Sequence, residues 1–245
     1  MAALSKNTGT GPQKTRRMQP IVAWRALQRL IADPEQTEQV FVIIRAMSGN
    51  ALEKAFRRFR STATGQRILA GKRDLVSVLQ NRELLRQYDS ATLAGSYLKF
   101  VETEQISADG LVEASQDEYA IENEDLRRFG ERMRDQHDLW HVVTGYGRDT
   151  FGEACLLAFT YAQTRNRGIG IIALMGMYKL SREIGPGVRS AMWQAYRDGR
   201  KAAWLPEQDW ETLLAEPLET VRQQLRVPPP QKYRAVFQDY QLAAG

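Results

Sequence analysis

The sequence predicts an all-α protein: a single multi-helix domain of about eight to ten helices. Three observations carry the fold class. Apolar residues return at intervals of three and four along most of the chain, period-two alternation is absent, and Gly, Pro and Asp clusters punctuate the apolar runs at helix-length spacings. A chain of 245 residues suits one large domain, and 43% hydrophobic residues against 26% charged supply both a core and a wettable surface. That balance excludes wholesale disorder and an integral membrane protein.

Each element has its own signal. Residues 1–19 mix Lys6, Lys14, Arg16 and Arg17 with Gly, Thr and Pro and hold no apolar stretch long enough for a secretory signal, so a disordered arm is expected. The compact domain is expected over 20–227. Pro20 suits a first helical position, and Ile21, Trp24, Leu27 and Ile31 follow at helical spacing until Asp33-Pro34 ends the run. A second helix is expected over Gln36 to Met47. Beyond Gly49, Asn50 and Glu53 have the spacing of a capping box before Phe56 and Phe59. Leu75, Val78 and Leu79, then Leu84, Leu85 and Tyr88, predict short helices, and Leu93, Tyr97, Leu98 and Val101 a longer one that closes before Asp109-Gly110.

The strongest prediction is a helix from about Glu122 to Val143, with Leu126, Phe129, Met133, Trp140 and Val143 on one side. The run Thr144-Gly145-Tyr146-Gly147 stops it, since glycine adopts the left-handed backbone found after helix ends. Helices are expected from Thr150 to about Arg165, over Gly168 to Leu180 and over Val188 to Tyr196, the last two divided by Gly185-Pro186-Gly187. A Pro217-interrupted pair should span Glu207 to Leu225. Pro228-Pro229-Pro230 then ends the compact part, leaving 228–245 as a flexible tail whose Tyr233, Phe237 and Tyr240 are free to dock locally.

The chain has two histidines, and both stand in His137-Asp138-Leu139-Trp140-His141. A spacing of four puts the two imidazoles on one helix face, within reach of a common ion. Asp138 lies about 100° around the helix, able to ligate at the edge of the site or to orient a ligand from behind. Glu153, twelve residues beyond His141 and across the glycine turn, would be returned opposite the histidines by a helical hairpin. Two imidazoles with one or two carboxylates suit Zn²⁺, Fe²⁺ or Mn²⁺.

Competing readings stay open at this point. The pair could be surface decoration, Asp138 a solvated acid, and Glu153 the second half of a Thr150-x-x-Glu153 capping box. A zinc peptidase would place Glu where Asp138 stands, and no serine sits in a hydrolase elbow. Cys155, the lone cysteine, falls about 200° from Glu153 on a helix and reads as core; it permits no intrachain disulfide and fits a reducing cytoplasm. The net charge of +5 favours anionic partners weakly, but no basic stripe interleaved with aromatics supports a nucleic-acid partner, and none is expected.

The His137, Asp138, His141 and Glu153 spacing resembles the hallmark of the fourth Coq protein family of ubiquinone (coenzyme Q) biosynthesis, H-D-x-x-H followed after eleven residues by E. The resemblance extends to Arg132-Met-Arg134, Gly65-Gln-Arg67-Ile-Leu69, Thr92-Leu93-Ala-Gly95-Ser-Tyr97, Gly152-Glu153 and Ala162-Gln163-Thr164, and spans about residues 36 to 227. It implies an all-helical protein holding a divalent metal ion, usually zinc, with Fe, Mn or Mg as alternatives, through His137, Asp138, His141 and Glu153, the four positions through which any catalysis would run. It also implies a polyprenylated quinone precursor as ligand, other ubiquinone biosynthesis enzymes as partners, and attachment to a membrane surface, peripheral to the inner membrane from the cytoplasmic side in a bacterium; a homo-oligomer is compatible. Two roles follow from the family: oxidative decarboxylation at ring carbon one of a prenylated hydroxybenzoate, or a non-catalytic lipid-binding scaffold that organises the biosynthetic complex.

A lipid ligand needs an apolar route. Gly168 to Tyr178 is uncharged for eleven residues, too short to cross a bilayer, and reads either as a buried core helix or as the wall of a prenyl groove in which Met175 and Met177 adapt to the chain. Arg57, Arg58 and Arg60 around Phe56 and Phe59 read either as the solvated side of an amphipathic helix or as a contact with anionic membrane.

Overall fold

The computed structural model describes residues 18–32, 38–105 and 123–244. Among them lie fifteen α-helices, one 3-10 turn at Leu205–Glu207 and no strand. The class is as expected and the number of helices is higher. In order they are α1 (Pro20–Ala32), α2 (Glu38–Ser48), α3 (Ala51–Ser61), α4 (Ala63–Ala70), α5 (Leu75–Gln80), α6 (Arg82–Leu85), α7 (Leu93–Thr103) and α8 (Glu124–Asp135). Then follow α9 (His137–Thr144), α10 (Thr150–Thr164), α11 (Arg167–Glu183), α12 (Gly187–Lys201), α13 (Trp210–Leu213), α14 (Leu218–Leu225) and α15 (Gln231–Ala244). Most of the expected arm, the Asp33-Pro34 stop and the Asp109-Gly110 turn lie outside the described residues.

The excess over the expected count comes from α4, which Thr62 caps, from a break in the long helix and from α15. Asn81 accepts from the Leu84 amide (3.0 Å) and so starts α6 directly after α5, giving the two short helices expected there. The long helix expected over 122–143 is two, α8 and α9, with Gln136 between them. Gln136 is wholly buried, accepts a 2.6 Å hydrogen bond from Trp210 Nε1 and donates to Met133 Sδ, so the joint is pinned from α13. Asn50 precedes α3 without any side-chain cap bond, so the capping box expected there is not formed.

Three apolar clusters organise the packing. The largest gathers α5, α6, α7 and α9 to α15 around wholly buried Leu139, Val143, Leu156, Leu205 and Trp210. Phe56 and Phe59 of α3 pack with Leu126 and Phe129 of α8 and with Trp204. Arg57, Arg58 and Arg60 stay exposed, with the Arg58 guanidinium over the Trp204 ring at 4.1 Å. Ala26, Ile43 and Ile172 join α1, α2 and α11 in the third cluster. Along α11, Gly168, Gly170, Ile172 and Ala173 face inward while Leu174 and Tyr178 are exposed, so the apolar segment is half core and half surface. No helix of the described residues is long and apolar enough to cross a membrane.

The segment beyond Pro230, expected as a flexible tail, is helical as α15 and packs on α12 and α10. Tyr233 is buried against Tyr146, Phe151 and Phe237, which is enough aromatic surface to fix the helix to the body of the domain.

Candidate metal centre

The site lies between α9 and α10. Every residue of α9 from Asp138 to Thr144 is buried, and its carboxy-terminal carbonyls are claimed by a distant cation: Arg222 of α14 donates from Nε to Val143 O (2.9 Å) and from Nη2 to Val142 O (3.0 Å). Gly145 ends the helix in the left-handed conformation, φ 73°. Asp149 then opens α10, its Oδ1 accepting from the Phe151 (3.1 Å) and Gly152 (2.9 Å) amides. Gly152 packs where a Cβ would meet the Gly147 carbonyl oxygen at 2.2 Å, so the first turn of α10 lies directly on the glycine loop. Glu153 follows at once.

This tight hairpin brings one ligand atom from each of His137, His141 and Glu153 within 4.8 Å of one another. His141 Nε2 is 3.3 Å from Glu153 Oε1, and His137 Nε2 is 4.0 Å from Glu153 Oε2. The two imidazoles meet edge to face, 4.8 Å between centroids. Phe100 of α7 stacks on His141 at 5.6 Å, an apolar cover for one side of the site. His141 is fully buried, whereas the side chains of His137 (37% exposed) and Glu153 (35%) open it to solvent on the other side.

Hydrogen bonding sets which nitrogen of each ring is free. His141 Nδ1 donates to the Tyr146 carbonyl at 3.0 Å, which leaves Nε2 as the bare lone pair. That atom is buried and finds no hydrogen-bond partner among the described residues, because Glu153 approaches it outside hydrogen-bonding geometry. His137 is held alike, its Nδ1 3.4 Å from Asp138 Oδ1. Burial pushes the Glu153 carboxyl up, but the facing imidazoles of His141 and His137 and the charge of Arg148 outweigh it, so the group is held below the ordinary carboxylate range. An ionised carboxylate facing two imidazole lone pairs, one of them orphaned, fits a divalent cation.

Of the four residues expected at the site, three converge and Asp138 does not join them. Its side chain, one helix step of about 100° from the face shared by His137 and His141, lies against the His137 ring instead of joining the cluster. Asp138 backs that ring from the far nitrogen, the orienting arrangement typical of metal-bound histidines. Its charge adds to burial in pushing the Tyr97 hydroxyl up. The alternative for Glu153 is also resolved. Asp149, not Thr150, caps α10, and the Glu153 carboxylate turns toward the histidines. Cys155 is core, its thiol pushed up by burial.

Residues 14–231 match the family model of "Coenzyme Q (ubiquinone) biosynthesis protein Coq4". The chain belongs to the Coq4 family. Among relatives, a protein of Podospora anserina named "Ubiquinone biosynthesis protein COQ4, mitochondrial" is 31% identical over 71% of this chain and 56% of its own length. One of the same name from Scheffersomyces stipitis is 25% identical over 84% of this chain and 64% of its length, so the chain spans roughly three fifths of these Coq4 relatives. A crystal structure of a protein from Nostoc punctiforme PCC 73102, provisionally assigned to ubiquinone biosynthesis, shares the fold with a TM-score of 0.64 at 20% identity, over 86% of this chain and 99% of that one.

Three supports of the centre have no counterpart in the sequence reading of the Coq4 pattern. The Tyr146 acceptor is a backbone carbonyl, a group every residue type carries, and Phe100 is one of several aromatics at helical spacing. Only Asp149 had a readable signal, an N-cap residue immediately before an expected helix.

Proposed function

We propose that the chain binds one divalent metal ion through His137, His141 and Glu153, and uses it on a polyprenylated benzenoid acid in ubiquinone biosynthesis, replacing the carboxylate at ring carbon one by a hydroxyl. The observation that carries this reading is the three-residue donor set with Asp138 set behind it. A structural zinc site is closed by four protein ligands, whereas two imidazoles and one carboxylate leave positions for water or substrate, as in catalytic zinc sites and non-haem iron oxygenases. When bound, such an ion supplies a Lewis acid for an anionic ligand and, if redox-active, the electron chemistry an oxygen-dependent decarboxylation requires.

The chain's own residues have distinct tasks. His141, buried and fixed by Tyr146, anchors the site; His137, steadied by Asp138, and Glu153 form its open edge, where a carboxylated ring can arrive. Phe100 gives that ring an apolar surface beside His141. The net change requires a balanced oxidation: the acid, dioxygen, two electrons and two protons yield the phenol, carbon dioxide and water. The reductant would come from outside the chain.

The test is elemental analysis of protein purified from cells, followed by incubation of metal-loaded protein with a prenylated hydroxybenzoate, dioxygen and a chemical reductant. About one transition-metal ion per chain is expected, with H141A folded and essentially metal-free. Metal content unchanged in H141A refutes the site, and metal-replete protein that leaves the acid intact refutes the reaction.

A scaffold role is favoured by a different observation. Ile21 and Trp24 of α1, Phe41 of α2, and Leu174 and Tyr178 of α11 stand exposed on three helices that share one apolar cluster, a surface suited to a membrane or to partner enzymes. Flotation with anionic vesicles at wild-type level by a catalytically dead H141A protein is the result that reading expects.

A further inference from the structure

The amide joining Tyr146 to Gly147 is held at both ends. Its carbonyl accepts from His141 Nδ1 (3.0 Å), and its N–H donates to the hydroxyl of Tyr233 (3.1 Å), which arrives from α15, 86 residues away in sequence. That hydroxyl in turn donates to Asp149 Oδ2 at 2.5 Å. The other oxygen of Asp149 is the one that caps α10, the helix bearing Glu153. Gly147 leaves room for this junction: a Cβ there would stand 2.7 Å from the Tyr233 oxygen and 2.6 Å from Asp149 Oδ2.

A continuous hydrogen-bond chain therefore runs from the Asp149 carboxylate through the Tyr233 hydroxyl and the 146–147 peptide to His141 Nδ1. Every link points the same way, each acceptor being strengthened by what its own group donates to. The chain ends on the ring whose opposite nitrogen is orphaned at the candidate metal position.

We infer that Tyr233 is a positioning residue for the metal centre: its hydroxyl fixes the plane of the 146–147 peptide, locks His141 in the Nδ1–H tautomer, and through Asp149 sets the first turn of α10 that presents Glu153. The inference rests on the proposed metal site for its functional meaning but not for its first readout. Tyr233 is buried among Tyr146, Phe151 and Phe237, so Tyr233→Phe removes the oxygen and keeps the aromatic packing.

With only two histidines in the chain, nitrogen-15 NMR of the metal-free protein resolves each ring. Wild type should show His141 protonated at Nδ1 alone, and Y233F a mixture of tautomers. Competition titration with Co²⁺ should show binding weakened about tenfold or more, the effect usual when the partner behind a metal-bound histidine is lost. Asp149→Asn, which keeps a cap acceptor and loses the charge that receives the hydroxyl, gives the decisive reading if Y233F does not fold. A variant that folds, with or without a lowered melting temperature, yet keeps the wild-type tautomer and binds Co²⁺ within about twofold of wild type overturns the inference. Wild-type protein that takes up no Co²⁺, while the tautomer still depends on Tyr233, upholds the relay and removes the metal reading instead.

Discussion

Gly152→Ala is the smallest change that tests how the hairpin makes the site. An added Cβ would sit 2.2 Å from the Gly147 carbonyl oxygen and 2.7 Å from both its carbon and its nitrogen, all backbone atoms with no rotamer to yield. Reaching ordinary contact requires a separation of about 1 Å or more. α10 cannot supply it, because Phe151, Ala154, Cys155, Leu156, Ala158 and Phe159 are all buried along its length. The loop must move, taking the Tyr146 carbonyl from His141 and straining the Asp149 cap. Overpacking costs about 1–3 kcal/mol and a weakened cap about 1 more, so a loss of about 2–4 kcal/mol is expected. For a chain of this size that lowers the melting temperature by about 5–15 °C. The internal control is Gly176→Ala on α11, whose Cβ would meet only Ala154 Cβ at 3.6 Å. There the gain in helix propensity should leave stability equal or raised by up to about 1 kcal/mol. Scanning calorimetry and Co²⁺ titration read both variants. A G152A protein that melts with wild type and binds the ion with wild-type affinity would show that the close approach of α10 to residue 147 has no part in forming the centre.

Two further outcomes concern the frame around the site. Arg132 and Glu211 form a buried bidentate pair, 2.8 and 2.7 Å, with Arg132 also donating to Gln208 O, and so tie α8 to α13 beside the Gln136 joint; R132M should cost about 3–5 kcal/mol by stranding Glu211, and R132M/E211L should recover most of that in urea denaturation. Asp209 caps α13 and pairs with Arg73 at 2.6 Å. Burial pushes its carboxyl up, but the Thr212 and Arg73 hydrogen bonds and the Arg73 charge hold it below its ordinary value. A carboxyl lowered in the folded state contributes stability above its unfolded value and loses it as the pH falls through the folded one. Asp209→Asn keeps a cap acceptor, so its deficit should be below about 1 kcal/mol at neutral pH and shrink toward zero on acid titration; a deficit that grows with acid contradicts the assignment.

Much of the fold was readable because helical spacing is a local property. Ile21 to Leu27, Leu93 to Val101 and Thr150 to Thr164 each declare a helix from within their own residues, and the structure places helices there. The breaks were harder. Gln136 interrupts an otherwise uniform apolar stripe between α8 and α9 where Trp210, 74 residues on, takes hold of its amide, and no window centred on 136 contains that partner. The same holds for α15. Tyr233, Phe237 and Tyr240 have helical spacing, yet three prolines before them look like an ending, and what seats the helix is the surface of Tyr146 and Phe151.

The site divides along the same line, between what a residue type announces and what only a contact confers. Two histidines at a spacing of four and a glutamate beyond a glycine turn announce themselves, since few other uses need those types in that order. Asp138 was equally conspicuous, with two roles open to it from the sequence, and its side chain lies against the His137 ring, about 100° around the helix from the face on which the other three gather. The groups that complete the centre are a peptide carbonyl, a cap and a tyrosine from the far end of the chain, none with a type that spells metal. A chain that keeps the two histidines and the glutamate but lacks the α15 tyrosine should hold the same three donors in looser array. Truncation before Gln231 should therefore weaken Co²⁺ binding at least as much as Tyr233→Phe, with all three ligands still present.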